Sequence, residues 1–172
     1  KIGRLDQAQT AFTSLSANAN TARVAYEGLL RIAQKGGDLE KLRDVLAKMR
    51  QRWPKDDSVK NDYAYVNLLM GTAVDESLAA ARELVKASPA SMAHRTTLAL
   101  AALRKNDPRA ALTVYQGLNI PWERVGASQR AVYAAVLGAN GKTAEAKAQA
   151  DALRPEQLRT EERELIKPWR TP

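Results

Sequence analysis

The segment Gly36-Gly37-Asp38-Leu39-Glu40-Lys41 combines the signals that end one helix and begin the next. Gly37 suits a left-handed turn because glycine has no Cβ, and the Asp38 carboxylate can cap the helix that follows. Glycine or asparagine recurs after such helical stretches at intervals of 34, 34, 35 and 35 residues, at Gly3, Gly37, Gly71, Asn106 and Gly141. A fixed period of this length is typical of stacked helical hairpins rather than of one globular core.

The composition favours helices over strands. Of the 172 residues, 45% are apolar, and Ala and Leu supply most of this fraction, with a single Phe. Such side chains favour helix formation, and no β-branched alternating run is long enough to predict a sheet. We therefore expect an all-α chain.

The cysteine content and the length of the apolar runs exclude several kinds of site and segment. The chain has no cysteine, so it has no disulfide framework and no thiolate metal site. No run approaches the roughly 18 apolar residues needed to cross a bilayer, so we expect no membrane span. Because the sequence starts at Lys1 and inside a repeat, we expect it to be part of a longer protein.

Apolar residues at helical spacing predict helix pairs between the markers. The first five helices are expected at about residues 4–16, 22–35, 39–52, 57–70 and 74–88. Pro54 and Pro89 close two of the units, because proline cannot continue a helical hydrogen-bond ladder. The segment Asn119–Glu123 departs from the pattern, so we expect a longer loop there, with Trp122 packed on neighbouring helices.

A short last helix is expected near the C-terminus. Thr160 can cap it, and Glu161 and Glu162 suit the positive end of its dipole. Leu165 and Ile166 would then cover the end of the stack, as terminal repeats require.

The pattern resembles a tetratricopeptide repeat array. Numbered from Arg23, the first full repeat matches the family at Tyr26, Leu29, Gly37, Leu42, Leu46 and Pro54. The resemblance implies a right-handed α-solenoid of antiparallel helix pairs, a superhelix forming a single array over residues 1–172. Its parts would be a half repeat at 1–20, repeats at about 22–55, 57–89, 90–123 and 127–158, and a capping helix at about 160–167.

Two columns of helix A residues line the concave face of such arrays, and the resemblance implies that a peptide or partner protein binds there. The first column is Glu27, Asn61, Thr96 and Ala131, and the second is Arg31, Tyr65, Leu100 and Ala135. The alternative is that Leu100, Ala131 and Ala135 simply pack against neighbouring helices. Because Glu27 and Arg31 replace the lysines and asparagines of the family's clamp for acidic C-terminal tails, that ligand mode is disfavoured.

Residues suited to catalysis are scarce. The single histidine, His94, stands at the start of a predicted helix, where a structural role is the simpler interpretation. The cluster of Glu161, Glu162 and Glu164 lacks an oxygen-ligand loop, and helix-start electrostatics accounts for it. We expect no catalytic residues, no metal and no cofactor, and therefore a protein-binding scaffold rather than an enzyme.

Two functions other than a protein-binding scaffold stay open. The net charge is +8, and the first 56 residues hold 11 basic and 6 acidic side chains. This charge is compatible with a solvated face, or with a surface that binds an acidic protein, nucleic acid or a membrane. One alternative function is RNA binding by a pentatricopeptide-like protein, whose hairpins have nearly the same length. The other alternative function is a structural spacer that self-associates through the N-terminal edge, where Phe12 and Leu15 would be exposed.

Overall fold

The computed structural model describes residues 2–170, with the side chains of residues 2–4 excluded. This part of the chain is all-α, as the composition predicts, and contains no strand. Its α-helices are α1 Ile2–Leu15, α2 Ala22–Gly36, α3 Leu39–Arg52, α4 Asp57–Met70, α5 Val74–Ala87, α6 Met92–Arg104, α7 Pro108–Thr113, α8 Ala127–Ala139, α9 Thr143–Asp151 and α10 Thr160–Ile166. Three short 3₁₀ helices lie at Trp122–Arg124, Pro155–Gln157 and Lys167–Trp169.

Left-handed residues separate the helices at four of the five periodic markers. The φ angles are 69° at Gly37, 72° at Gly71, 58° at Asn106 and 75° at Gly141. Asparagine is the residue other than glycine that adopts this conformation most readily. Gly3 differs, because it lies in the first turn of α1, so the turn predicted there is wrong.

Local caps fix several helix starts. The Asp38 carboxylate accepts a hydrogen bond from the Lys41 backbone N–H at 3.0 Å and caps α3, as predicted. Asp107 caps α7 in the same way, and Pro108 occupies the first turn, where its missing N–H is not needed. The prediction for Thr160 is wrong by one position: Arg159 is the N-cap of α10, and its backbone N–H donates to the Glu162 carboxylate at 2.9 Å.

The chain divides into two compact units, one ending at Val66 and the other beginning at Asn67, so that α4 contributes residues to both. In the first unit, α2 packs against α1 and α3. The ring of Phe12 from α1 lies directly against Gly28 of α2, where a larger residue would not fit. Leu42, Leu46 and Met49 of α3 are buried and complete this core.

In the second unit, α6 packs against α5, α7 and α8, and α8 also packs against α9 and α10. Small residues allow this close approach, and the core of its C-terminal part consists of Ala131, Ala134, Ala150, Leu153, Leu158 and Ile166. The indole of Trp169 covers Gly138 on α8. Ile166 is fully buried, and Leu165 is half-buried.

Polar side chains from later helices satisfy backbone groups of earlier ones in the second unit. Arg104 of α6 donates to the carbonyls of Leu68 at 2.7 Å and Leu69 at 3.0 Å, both in the last turn of α4. Asn140 donates to the Pro108 carbonyl at 2.7 Å. The two bonds from Arg104 satisfy carbonyls in the last turn of α4, where the helix itself offers no donor four residues later. None of the helices between residues 2 and 170 is long and apolar enough to cross a membrane.

Candidate partner-binding surface

The first-unit members of the two predicted columns lie on α2 and α4. Glu27 and Arg31 are four residues apart and therefore share one face of α2. Arg31 is exposed, whereas Glu27 is half-buried and forms an ion pair with Arg23 at 2.9 Å. On α4, Tyr65 is half-buried, and Asn61 is only 6% exposed.

The second-unit members of the columns lie in the core. The exposed fraction is 2% for Thr96, 0% for Leu100, 0% for Ala131 and 1% for Ala135. The Thr96 hydroxyl donates to the Met92 carbonyl at 2.8 Å, within its own helix. These four residues therefore pack inside the second unit, and for Leu100, Ala131 and Ala135 this is the alternative given above.

A polar and aromatic cluster joins the start of α2 to the start of α4. The Arg23 guanidinium donates to the Asp56 carboxylate and lies 5.1 Å from the centre of the Trp53 ring. Trp53 meets Tyr26 edge to face, with ring centroids 5.6 Å apart. The Asp56 carboxylate also accepts the backbone N–H groups of Ser58 and Val59, so it caps α4 while it holds Arg23.

The electrostatics of this cluster favours ionised Asp56. Burial alone would raise the pKa of Asp56, but hydrogen bonds from Ser58, Arg23 and the Val59 backbone outweigh it and lower the pKa from 3.8 to about 2. The same contact with Asp56, followed by that with Glu27, raises the pKa of Arg23. Arg23 and Glu27 thus already form ion pairs within the protein, and Arg31 is the more exposed of the two charged residues in the columns.

The Trp122 segment packs as predicted. Trp122 stacks on Tyr133 of α8, with ring centroids 3.8 Å apart and an interplanar angle of 8°. Tyr115 meets both rings edge to face, at 5.6 Å from Trp122 and 5.1 Å from Tyr133. Burial raises the pKa of the Tyr115 phenol. The three rings contact one another directly and form a packed cluster.

Of the titratable residues singled out from the sequence, His94, Glu162 and Glu164 have structural partners, whereas one buried oxygen of the Glu161 carboxylate has no hydrogen-bond partner in the part of the chain that the structure describes. The Nδ1 atom of His94 lies 3.2 Å from the Leu84 carbonyl, and its backbone N–H donates to Ser91. Glu162 is fully buried and pairs with Arg159 at 3.1 Å, and Glu164 pairs with Lys167 at 3.2 Å. Within residues 2–170, no group of three or more His, Cys, Asp or Glu side chains is arranged to hold a metal ion.

Comparisons with protein-family models, with curated proteins and with solved structures find no match to this chain.

Proposed function

We propose that this chain is a non-enzymatic scaffold that binds a peptide or partner protein. In this proposal its hairpins form one right-handed array of the tetratricopeptide type over residues 1–172. The observation that supports it most strongly is the left-handed residue that recurs at Gly37, Gly71, Asn106 and Gly141, 34 or 35 residues apart, each within two residues of the end of a helix. Repeated hairpins expose elongated helical faces that suit binding better than they suit catalysis.

The exposed helix A face of the first unit is the proposed contact surface. Arg31 is its centre, because the side chain is exposed and has no ion-pair partner in the described part of the chain. Glu27 and Tyr65 are half-buried and add polar and aromatic area. Thr96, Leu100, Ala131 and Ala135 do not belong to this surface, because they are buried.

RNA binding is the less favoured function. Pentatricopeptide-like proteins read bases with side chains at recurring helix positions. Of the first column here, Asn61, Thr96 and Ala131 are at most 6% exposed, which leaves Glu27, whose charge repels phosphate.

The test is a selection from a random peptide library, followed by affinity measurements with the selected peptides. Arg31→Ala should weaken binding by about five-fold or more, since a positioned charge at an interface is worth on the order of 1 kcal/mol or more. Arg82→Ala on α5 is the matched control, because Arg82 is also exposed on a helix. If no peptide is selected, or if the two variants bind equally well, the proposed surface is wrong.

A further inference from the structure

A groove opens between α1, α2 and α3 in the first unit, on a side of these helices that the two columns do not include. Its cavity volume is about 400 Å³. Besides the buried Ala33, the apolar part of its lining comes from Leu5 of α1, Leu29 and Ile32 of α2, and Val45 of α3. Leu5 is 39% exposed, and the other three are half-buried, so apolar surface stays in contact with water. Exposed apolar grooves of this kind mark sites where another chain packs.

Some charged side chains around the groove form ion pairs within the protein, and others do not. Asp38 and Lys41 on its rim pair with each other at 3.3 Å, and Asp44 pairs with Arg43 at 3.2 Å. Lys48, also on the rim, has no ion-pair partner in the described part of the chain. Asp6 on α1 is the other charged group that lines the groove.

Beyond the groove, the surface of α3 is strongly basic. Residues 48–55 contain four basic side chains and no acidic one. Lys48 and Arg52 are four residues apart, so they lie on the same face of α3, and both are exposed. The next carboxylate along the chain, Asp56, is held by Arg23 and by the start of α4. A partner that follows α3 away from the groove therefore meets the exposed positive charges of Lys48 and Arg52.

We propose that this groove binds an acidic amphipathic segment of a partner protein. Its apolar side chains enter the groove over Leu5, Ile32 and Val45, and its carboxylates face Lys48 and Arg52. The inference deepens the proposed function, on which it rests, by stating the chemistry of the partner and by adding a second surface. RNA fits this surface less well, because an apolar floor offers nothing to a sugar–phosphate backbone.

The probe is a fluorescein-labelled 14-residue peptide with leucines at helical spacing and glutamates elsewhere, measured by fluorescence anisotropy. Two control peptides separate the contributions: one carries lysine in place of glutamate, and one carries serine in place of leucine. The acidic amphipathic peptide should bind at least about ten-fold more tightly than either control, and added salt should weaken it, because exposed charges contribute.

Variants of the protein locate the binding site. Leu5→Glu places a charge in the groove, and Lys48→Glu with Arg52→Glu reverses the charge of α3. Each should weaken the acidic peptide by about ten-fold. Val24→Glu is the apolar control, because Val24 is 61% exposed and does not line the groove. Arg82→Glu with Lys86→Glu is the charge control, since this pair is also exposed and four residues apart on α5.

Each outcome decides the question. Loss of binding in the groove variants, with both controls within about two-fold of the original affinity, supports the inference. Undetectable binding, equal binding of the lysine peptide, or equal loss in the control variants overturns it. Loss in Arg31→Ala alone would support the helix A surface and overturn the groove. Tighter binding of a 12-nucleotide RNA, or a dimer that Leu5→Glu dissociates, would replace the acidic segment by RNA or by a second copy of the chain.

Discussion

Replacing Gly28 by alanine tests the contact between α1 and α2. A Cβ at Gly28 would lie 2.6 Å from two ring carbons of Phe12 and 2.7 Å from a third, and real Cβ contacts are essentially never shorter than 3.0 Å. The ring or the helix must therefore move. Forcing an extra methyl group into a packed core typically costs about 1–3 kcal/mol.

Gly36 provides the matched control. It is the last residue of α2, and nothing lies within 4 Å of the position that its Cβ would take. Alanine is a better helix former than glycine by up to about 1 kcal/mol, and this gain applies in some measure to both substitutions. Only Gly28→Ala meets the Phe12 ring, so Gly36→Ala should be the more stable variant by about 1–3 kcal/mol.

Urea unfolding, followed by far-UV circular dichroism and tryptophan fluorescence, measures this difference. Combining Gly28→Ala with Phe12→Leu should recover part of the lost stability, because the smaller side chain makes room for the new methyl group. The interaction energy from the double-mutant cycle then has a stabilising sign. If Gly28→Ala is as stable as Gly36→Ala, the close packing of α1 on α2 is not as described.

Two further predictions concern the polar and aromatic clusters. The pKa of Asp56 is lower in the folded chain, at about 2 against 3.8, so its stabilisation is present above pH 4 and lost as the pH falls towards 2. Asp56→Asn should lower the free energy of unfolding by about 1–2 kcal/mol at pH 7 and remove this part of its pH dependence. Asp56→Ala should lower it by about 1 kcal/mol more, because the substitution also removes the cap of α4. Measuring the free energy of unfolding between pH 7 and pH 2 checks both variants. If Asp56→Asn loses stability at low pH as much as the original protein does, the low pKa of Asp56 is contradicted. Trp122→Ala removes the ring stacked on Tyr133 and should destabilise the second unit by about 1–3 kcal/mol, whereas Trp122→Phe should keep most of that stability. Denaturant unfolding measures both Trp122 variants, and equal midpoints would show that the stacking contributes nothing.

Local signals explain why most helix boundaries could be predicted. The predicted bounds of α3 and α4 agree with the structure, because Asp38 and Asp56 mark the helix starts, and Pro54 lies between the two helices. The left-handed turns at Gly37 and Asn106 were also predictable, because glycine and asparagine are the residues that adopt this conformation most readily. The turn at Gly3 was inferred from the period alone, and Gly3 instead lies in the first turn of α1.

The candidate surface was harder to predict, because exposure depends on tertiary packing. The columns place Leu100 and Ala135 on corresponding positions of α6 and α8, and these two helices pack against each other and bury both side chains. The ion pair of Arg23 with Asp56 spans 33 residues, and no local sequence signal connects the two side chains. The groove between α1, α2 and α3 likewise requires three helices in place before it can be seen.

Hydrogen–deuterium exchange on the complex with a selected peptide tests the central claim most directly. If the chain is a scaffold that binds a protein segment through its first unit, the peptide should slow exchange in α2 and in either α4 or the flanking α1 and α3. Slowing confined to the loop around Trp122 or to α8–α10, or no slowing at a saturating peptide concentration, would contradict the account.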